Sequence, residues 1–177
     1  ELGYPESSNV HAFALNQVAS TLFSQRKYEE AAQAYDQVDA ATASWEPERA
    51  ARLRLGYARI FTRYATRQVD AGIDAARQLV ERETKRAGDK HHDSAIANAI
   101  LGAGLTFARR DREALEVYGK ALPILLATSH EDADDSATFA AADTRTQVVM
   151  ELYLTLLSRN RRAVKDAGTE SFHIAEA

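Results

Sequence analysis

The segment that decides the fold is Asp111-Arg112-Glu113-Ala114-Leu115-Glu116-Val117-Tyr118-Gly119-Lys120-Ala121, because residues 28–38 and 69–79 repeat its pattern. The fourth position of each copy holds a small residue, and successive copies lie 41 and 42 positions apart (72 − 31 and 114 − 72). The eighth and eleventh positions keep the same spacing. In chain order the three positions hold Ala31, Gly72 and Ala114, then Tyr35, Ala76 and Tyr118, then Val38, Leu79 and Ala121. A fixed period of this kind predicts a repeated pair of helices.

The residues around these copies have the features of helix starts and helical faces. Asp93-Ser94-Ala95 recurs as Asp135-Ser136-Ala137, and Asp and Ser side chains accept hydrogen bonds from the first free amides of a helix. Glu46-Pro47-Glu48 marks a further start, with proline in the first turn, where its missing N–H costs nothing. Apolar residues then recur at helical spacings of three and four. They are Phe13, Leu15, Val18, Leu22 and Phe23; Leu53, Tyr57, Ile60, Phe61 and Tyr64; and Ile96, Ile100, Leu101, Leu105 and Phe107.

These patterns predict an all-α fold, a right-handed superhelix of antiparallel helical hairpins with about seven to eight helices. Helices are expected near 8–25, 28–43, 46–66, 68–87, 93–109, 111–128 and 134–159, and a last one begins near 163–169. The hairpins are expected near 8–43, 46–87, 93–128 and 134–177. They would form a single domain over 1–177, which we expect to be a piece of a longer protein.

The repeated residues resemble the tetratricopeptide repeat. The first copy matches that pattern at Leu15, Val18-Ala19, Leu22, Tyr28, Ala31, Tyr35 and Val38, and the third at Leu101-Gly102, Leu105, Ala114, Tyr118 and Ala121. The second keeps Leu55-Gly56 but has Gly72 and Ala76 where a small residue and an aromatic are expected, so it is degenerate. The resemblance implies that small residues let two helices approach closely, while an aromatic residue fills the gap to the next hairpin.

The period near 42 exceeds the usual 34 of this family. The long form, with a His-containing loop before a helix start, is similar to the tetratricopeptide arrays upstream of caspase-like (CHAT) domains in bacterial proteins. The tail Glu170-Ser171-Phe172-His173-Ile174-Ala175-Glu176-Ala177 resembles the helix that closes such an array. This resemblance implies a downstream peptidase-like domain whose catalytic residues lie outside the chain.

Composition excludes several classes of function. The 22 basic and 26 acidic residues give a net charge of −4, which argues against nucleic-acid binding. There is no cysteine, so disulfides and thiolate metal sites are ruled out. No segment has the run of apolar residues that a membrane helix needs, so no membrane association is expected. A cytoplasmic location follows as an expectation.

No catalytic, metal or cofactor site is expected. His91-His92-Asp93 is the one cluster with metal-ligating side chains, but adjacent residues on a helix point about 100° apart, so a loop-and-cap role is favoured. The acidic run 131–135 lacks the glycine and final glutamate of an EF-hand loop and is expected to be a solvated loop. No serine lies in a Gly-x-Ser-x-Gly turn. We therefore expect the chain not to be an enzyme.

The first helices of the hairpins are expected to line a concave groove. About half of the groove residues are expected to pack between hairpins instead. The set is apolar and aromatic with few cations, so it does not suit the clamping of an acidic C-terminal peptide. The predicted groove residues are Phe13, Asn16, Ser20 and Phe23; Tyr57, Phe61 and Tyr64; and Ile96, Ala99, Ala103 and Phe107.

The leading hypothesis is a protein-interaction scaffold that binds a peptide or helix in this groove. The partner would be a protein, a peptide or a downstream domain of the same polypeptide. An alternative is a regulatory module that positions a caspase-like peptidase. A third is a structural module that self-associates weakly, because the ends of a repeat array expose unpaired hairpin faces.

Overall fold

In the computed structural model, every element of regular secondary structure that is described is an α-helix. The structure describes residues 9–129 and 136–160, and within them there are eight helices and no strand. The all-α prediction is confirmed for these residues, and the superhelical arrangement stays a prediction. The helices are α1 (Asn9–Ser24), α2 (Tyr28–Ala41), α3 (Pro47–Arg54), α4 (Tyr57–Ala65), α5 (Val69–Ala87), α6 (His92–Phe107), α7 (Asp111–Ser129) and α8 (Ser136–Arg159).

The helix expected over 46–66 is two helices, α3 and α4, and this prediction was wrong. Pro47 occupies the first turn of α3 as expected. The chain leaves the helix at Leu55, and the backbone of Gly56 is extended, with φ −71° and ψ 142°. Glycine favours such an interruption because it is about 1 kcal/mol less stable than alanine inside a helix. Leu55 is nevertheless buried, so the residue that ends α3 still contributes its side chain to the core.

The start of α6 is capped by a histidine and not by the expected aspartate. The backbone of His91 is extended, and its Nδ1 accepts a hydrogen bond of 3.1 Å from the Asp93 amide. Ser94 is fully buried and donates through Oγ to the Gly88 carbonyl oxygen at 2.6 Å. His91 therefore has the role that Asp93 was expected to have, since its ring nitrogen satisfies a free first-turn amide.

Three of the turns between helices share one backbone conformation. Arg26, Arg67 and Arg109 have φ values of 61°, 63° and 61°, the left-handed region that glycine usually occupies. After each arginine, the next amide reaches back five residues to a helix carbonyl, as in Lys27 to Leu22, Gln68 to Arg63 and Arg110 to Leu105. These arginines are 41 and 42 positions apart (67 − 26 and 109 − 67). The period of the sequence is thus repeated in the backbone.

Substitution of Arg109 by glycine should stabilise the protein. A non-glycine residue in the left-handed region costs about 1–2 kcal/mol, and glycine removes that cost while adding some entropy to the unfolded chain. We expect Arg109→Gly to raise the free energy of unfolding in urea by about 0.5–1 kcal/mol. The matched control is Glu116→Gly, on an exposed position inside α7, which should lower it by a similar amount. Equal effects of the two changes would contradict this account.

The chain divides into two compact units, Glu1–Ala75 and Ala76–Ala177, with the boundary inside α5. In the first unit α1 packs against α2, and both helices contact α4. The core of this unit lies between these helices and α3. It contains Ala12, Ala19, Ala34, Tyr35, Val38 and Leu53, with Leu15, Leu22 and Trp45 packed at its margin.

Two residues of the predicted apolar face of α1 are exposed. Phe13 is 53% exposed and Val18 is 52% exposed, as is Val10 at 56%. The face of α1 that contacts the core carries Ala12, Leu15, Ala19 and Leu22, and Phe13 and Val18 lie on either side of it. The reason for the discrepancy is that apolar residues occur on all sides of α1, so spacing alone does not indicate which face is buried.

In the second unit α6 packs against both α7 and α8. Its centre is Tyr118 of α7, whose side chain has no exposed surface. A Cβ atom added at Gly102 of α6 would lie 3.0 Å from the Tyr118 ring, so only glycine lets these helices approach this closely. On its other side the ring contacts Tyr153 of α8, with centroids 5.0 Å apart. The expected small–aromatic contact is present here.

A pair of glycine substitutions separates this contact from general helix propensity. Gly102→Ala should lower the free energy of unfolding by about 1–3 kcal/mol, because the buried Tyr118 ring has no room to move. Gly119→Ala should raise it by about 0.5–1 kcal/mol, because Gly119 is an exposed helical position with no atom within 4 Å of an added Cβ. Thermal or urea unfolding followed by circular dichroism measures both. Stabilisation by Gly102→Ala would show that the contact is not tight.

Some of the sequence predictions concern residues that the structure does not describe. The last helix near 163–169, the tail 170–177 and the acidic run 131–135 lie outside the described residues, and the repeated residue Ser136 begins α8. No helix in the described part of the chain is long and apolar enough to cross a membrane.

Candidate binding site

Four of the predicted groove residues form one continuous row of aromatic side chains in the first unit. On α1, the Phe23 ring contacts Tyr28 of α2 with centroids 5.8 Å apart and meets Tyr57 edge to face at 5.9 Å. On α4, Tyr57 contacts Phe61 at 4.7 Å, and Phe61 contacts Tyr64 at 5.3 Å. Aromatic pairs at these distances and angles contribute about 0.5–1.5 kcal/mol each beyond the burial of their area. The aromatic residues that were grouped by their spacing on α4 therefore do contact one another.

The inner half of this row is part of the core. Phe61 is 7% exposed and Tyr64 is 3% exposed. The Tyr64 ring lies over Gly72 of α5 so closely that a Cβ at Gly72 would be 2.5 Å from a ring carbon. Phe23 and Tyr57 are only half-buried. The part of the row that a ligand can contact is therefore Phe23 and Tyr57, while Phe61 and Tyr64 support it from behind.

The other predicted residues of α1 lie along the face that leads to Phe23. Ser20 is half-buried, and its Oγ is 3.3 Å from the Tyr35 hydroxyl. Asn16 is also half-buried. Phe13 is exposed, and its ring contacts Trp45 with centroids 6.3 Å apart. These three positions and Phe23 are spaced three to four residues apart on one helix, so they form a strip of mixed polar and aromatic character.

The predicted residues of the third hairpin belong to the second unit. Ile96 is half-buried and Phe107 is 46% exposed. Ala99 and Ala103 have no exposed surface and pack in the core of that unit. The residues that the structure brings together are thus those of α1 and α4.

A buried arginine lies next to this strip, and the sequence analysis missed it. Arg59 of α4 is 2% exposed, and its Nη2 donates to Asp39 of α2, which also accepts from Arg54 Nε at 3.0 Å. The Arg59 guanidinium carbon lies 5.3 Å from the centre of the Tyr35 ring, in reach of a cation–π interaction. Its Nε and Nη1 are buried without a hydrogen-bond partner. In the sequence Arg59 lies with Thr62 and Arg63 on the polar side of the helix, which gives no sign that it is buried.

The burial of this cation affects its neighbours. Burial raises the pKa of the Tyr35 phenol, and the Ser20 hydrogen bond and the Arg59 charge oppose that rise only in part. Burial also lowers the pKa of Arg63, and the nearby positive charge of Arg59 lowers it further. Arg63 donates through Nη1 to the Ala71 carbonyl oxygen at 3.1 Å. The buried charge of Arg59 thus affects the pKa values of both Tyr35 and Arg63.

Removal of the carboxylate at Asp39 should destabilise the first unit strongly. A buried guanidinium that loses its carboxylate partner costs about 3–5 kcal/mol in a fully buried pair, and Asp39 is partly exposed, so we expect Asp39→Ala to cost about 2–3 kcal/mol. Asp36→Ala, on the exposed side of the same helix, should cost less than about 0.5 kcal/mol.

The double variant Asp39→Ala with Arg59→Met tests the assignment independently. Because it removes the stranded charge together with its partner, it should recover at least half of the stability lost in Asp39→Ala, as measured by urea unfolding. A double variant no more stable than Asp39→Ala would contradict the role given to Arg59.

The histidine cluster of the second unit is engaged in capping and ion pairing. Arg86 of α5 bridges two carboxylates: its Nε donates to Glu83 at 2.7 Å, and its Nη2 donates to Asp93. Burial raises the pKa of Glu83, but hydrogen bonds from Arg82 and Arg86 outweigh it and leave that pKa below its usual range. With His91 capping α6, these contacts join α5 to α6. In the described residues no three His, Asp or Glu side chains converge on a point that could hold a metal ion.

The buried phenol of Tyr118 is the other titratable group with a perturbed environment. Burial raises its pKa above the usual value, and the neighbouring Thr106 hydroxyl reduces that effect without lying in hydrogen-bonding geometry. Thr106 Oγ1 instead donates to the Gly102 carbonyl oxygen at 2.8 Å. A phenol enclosed by Gly102, Tyr153 and the core is shielded from any substrate, so it acts in packing.

Comparison with protein-family models, curated proteins and solved structures finds no match to this chain.

Proposed function

We propose that the chain is a protein-interaction module of the tetratricopeptide type that binds an apolar peptide or helix and catalyses no reaction itself. The observation that carries the proposal is the half-buried pair of rings, Phe23 and Tyr57, which the buried rings of Phe61 and Tyr64 support. Interaction hot spots are enriched in aromatic side chains that are rigidly supported and partly open. Rigid support lowers the entropy lost on binding.

The chemistry of the strip favours an apolar ligand with a few hydrogen-bonding groups. Asn16 and Ser20 offer amide and hydroxyl groups beside the rings. The cations Arg54 and Arg59 already bind Asp39, so a carboxylate of the chain itself balances their charge. A helix that places aliphatic residues on one face, three to four positions apart, fits such a surface.

The family part of the proposal is supported by the repeated details of the fold. Three turns carry an arginine at positive φ with one period, and the aligned positions Ala31, Ala114, Tyr35 and Tyr118 are all buried. A repeat that recurs in turn geometry and in core packing is what a stack of helical hairpins requires.

The test uses the full chain against a displayed library of helical peptides, followed by titration of the best binder. We expect Phe23→Ala and Tyr57→Ala each to weaken binding at least about 10-fold, since truncating a central aromatic residue costs more than about 1.4 kcal/mol. Unfolding curves must show that each variant is folded at the assay temperature.

The matched control is Phe107→Ala, an exposed aromatic residue of the second unit. It should leave the affinity unchanged within about two-fold. The proposal fails if the library returns no binder, or if binding survives both substitutions on the α1–α4 surface.

A further inference from the structure

A single carboxylate joins the two helices on either side of the break at Gly56. Asp39 of α2 accepts a hydrogen bond through Oδ1 from Arg54 Nε at 3.0 Å, and another through Oδ2 from Arg59 Nη2. Arg54 is the last residue of α3, and Arg59 lies in the first turn of α4. Both helices are therefore tied to the same point on α2. We call these three side chains the Asp39 clamp.

The Asp39 clamp suits the broken arrangement of α3 and α4. In a continuous α-helix, residues five positions apart point about 140° away from one another, since each residue turns by about 100° around the axis. Arg54 and Arg59 would then extend from different sides of one helix. The extended backbone of Gly56, with φ −71° and ψ 142°, redirects the chain between them, and both arginines bind one carboxylate.

Gly56 itself does not fix the angle between α3 and α4. Glycine adopts a wide range of backbone angles, so it gives the break no preferred geometry. As the N-cap of α4 it also offers no side-chain acceptor to the first free amides of that helix. The contacts on either side of the break must supply the missing constraint. They are the burial of Leu55 and the Asp39 clamp.

The residue that this constraint positions is Tyr57. It is the first residue of α4 and lies between Arg54 and Arg59 in the chain, so the backbone is anchored on both sides of it. Its half-buried ring meets Phe23 of α1 edge to face. The energy of an edge-to-face pair depends on the distance and the angle between the two rings. Loosening of either anchor would let the first turn of α4 shift and would weaken this contact.

We propose that the Asp39 clamp is the positioning element of the peptide-binding site: it holds the Tyr57 ring against Phe23 and thereby sets the affinity of the site. This inference rests on the proposed function and deepens it, because it assigns control of the site to Asp39, Arg54 and Arg59, side chains that are engaged with one another. A ligand then meets a pair of rings that is already ordered, so less entropy is lost on binding.

The two arms of the clamp differ in burial, so one of them can be removed without unfolding the chain. Arg59 is 2% exposed, whereas the Arg54 side chain is 42% exposed. An ion pair that is exposed to this extent contributes little to stability. Arg54→Gln therefore removes the α3 arm and leaves the buried Arg59–Asp39 pair intact. The matched control is Arg52→Gln, which removes the same charge from an exposed position of α3.

The contact between the two rings can be read in the full chain without any ligand. Nuclear Overhauser cross-peaks between ring protons report the Phe23–Tyr57 contact, whose centroids are 5.9 Å apart. We expect Arg54→Gln to reduce these cross-peaks at least about two-fold, because the edge-to-face geometry is no longer held. The cross-peaks between Phe61 and Tyr64, within α4, should stay as in the wild type and serve as the internal reference.

Titration with the helical peptide selected on the wild-type chain measures the effect on affinity. Arg54→Gln should weaken binding at least about five-fold, and Arg52→Gln should leave both the affinity and the ring contact unchanged within about two-fold. Arg54→Lys should recover most of the wild-type affinity, because a lysine amine can donate to Asp39 Oδ1 in place of the single Arg54 Nε–H bond. Urea unfolding establishes that all three variants are folded in the assay.

The proposal requires both changes in Arg54→Gln, and it is overturned if either the ring contact or the affinity stays as in the wild type. An equal loss of affinity in Arg52→Gln or in Arg54→Lys would also overturn it. Failure of the proposed function is recognised separately, by a library without a binder or by binding that survives Phe23→Ala and Tyr57→Ala. In that case the part of the inference that concerns affinity falls with it, and the ring contact still decides whether the clamp holds Tyr57.

Discussion

The close fit of an aromatic ring over a residue without a bulky side chain is the contact on which both units depend. In the second unit Tyr118 fills the space above Gly102, and in the first Tyr64 fills the space above Gly72. Each ring is nearly or fully buried, so it brings a large apolar area into the core while allowing the helix backbones to come close. The remaining core residues, many of them alanines, are suited only to such short distances between helices. Without these fits, the alanine-lined faces would not be close enough to exclude water.

The second copy of the repeat shows how this contact can be kept while its residues are exchanged. In the third copy the glycine lies on the first helix of the pair and the tyrosine on the second. In the second copy the tyrosine, Tyr64, lies on the first helix and the glycine, Gly72, on the second. The residue types at the aligned positions make this copy look degenerate. The tyrosine and the glycine have, however, exchanged helices, and the close contact between them is kept.

Particular residues show what could be predicted from the sequence. The helical class, the positions of most helix ends and the burial of the repeated columns followed from periodicity, because a constant spacing requires a constant environment. The break at Gly56 was missed because apolar spacing continues across it. The buried Arg59 was missed because its partner Asp39 is 20 positions away, on another helix. The exposure of Val18 was missed because a helix that is apolar on most sides gives no indication of which side faces water.

The aromatic row at α1 and α4 was predicted as a set of groove residues, and the structure divides it by depth. Spacing placed Tyr57, Phe61 and Tyr64 on α4, but only the packing of α5 against Tyr64 determines which rings remain open. Burial depends on contacts between distant segments, so it is the property that a pattern within one helix predicts least well. The repeated turns illustrate the opposite case. Their arginines gave no sign of a left-handed conformation, yet the constant spacing of the neighbouring columns required equivalent turns.

The Arg59–Asp39 pair has a consequence for how the first unit reaches a single structure. The apolar face of α4 carries side chains of similar size at Tyr57, Phe61 and Tyr64, so hydrophobic contact alone would allow the helix to slide along α2 by one turn with little change in buried area. Displacement by one turn, about 5.4 Å, would separate the guanidinium from its carboxylate and leave a charge in the core. Competing alignments of α4 are thereby raised in energy relative to the native one. The buried Arg59 therefore favours one register of α4, which its apolar contacts alone would not determine.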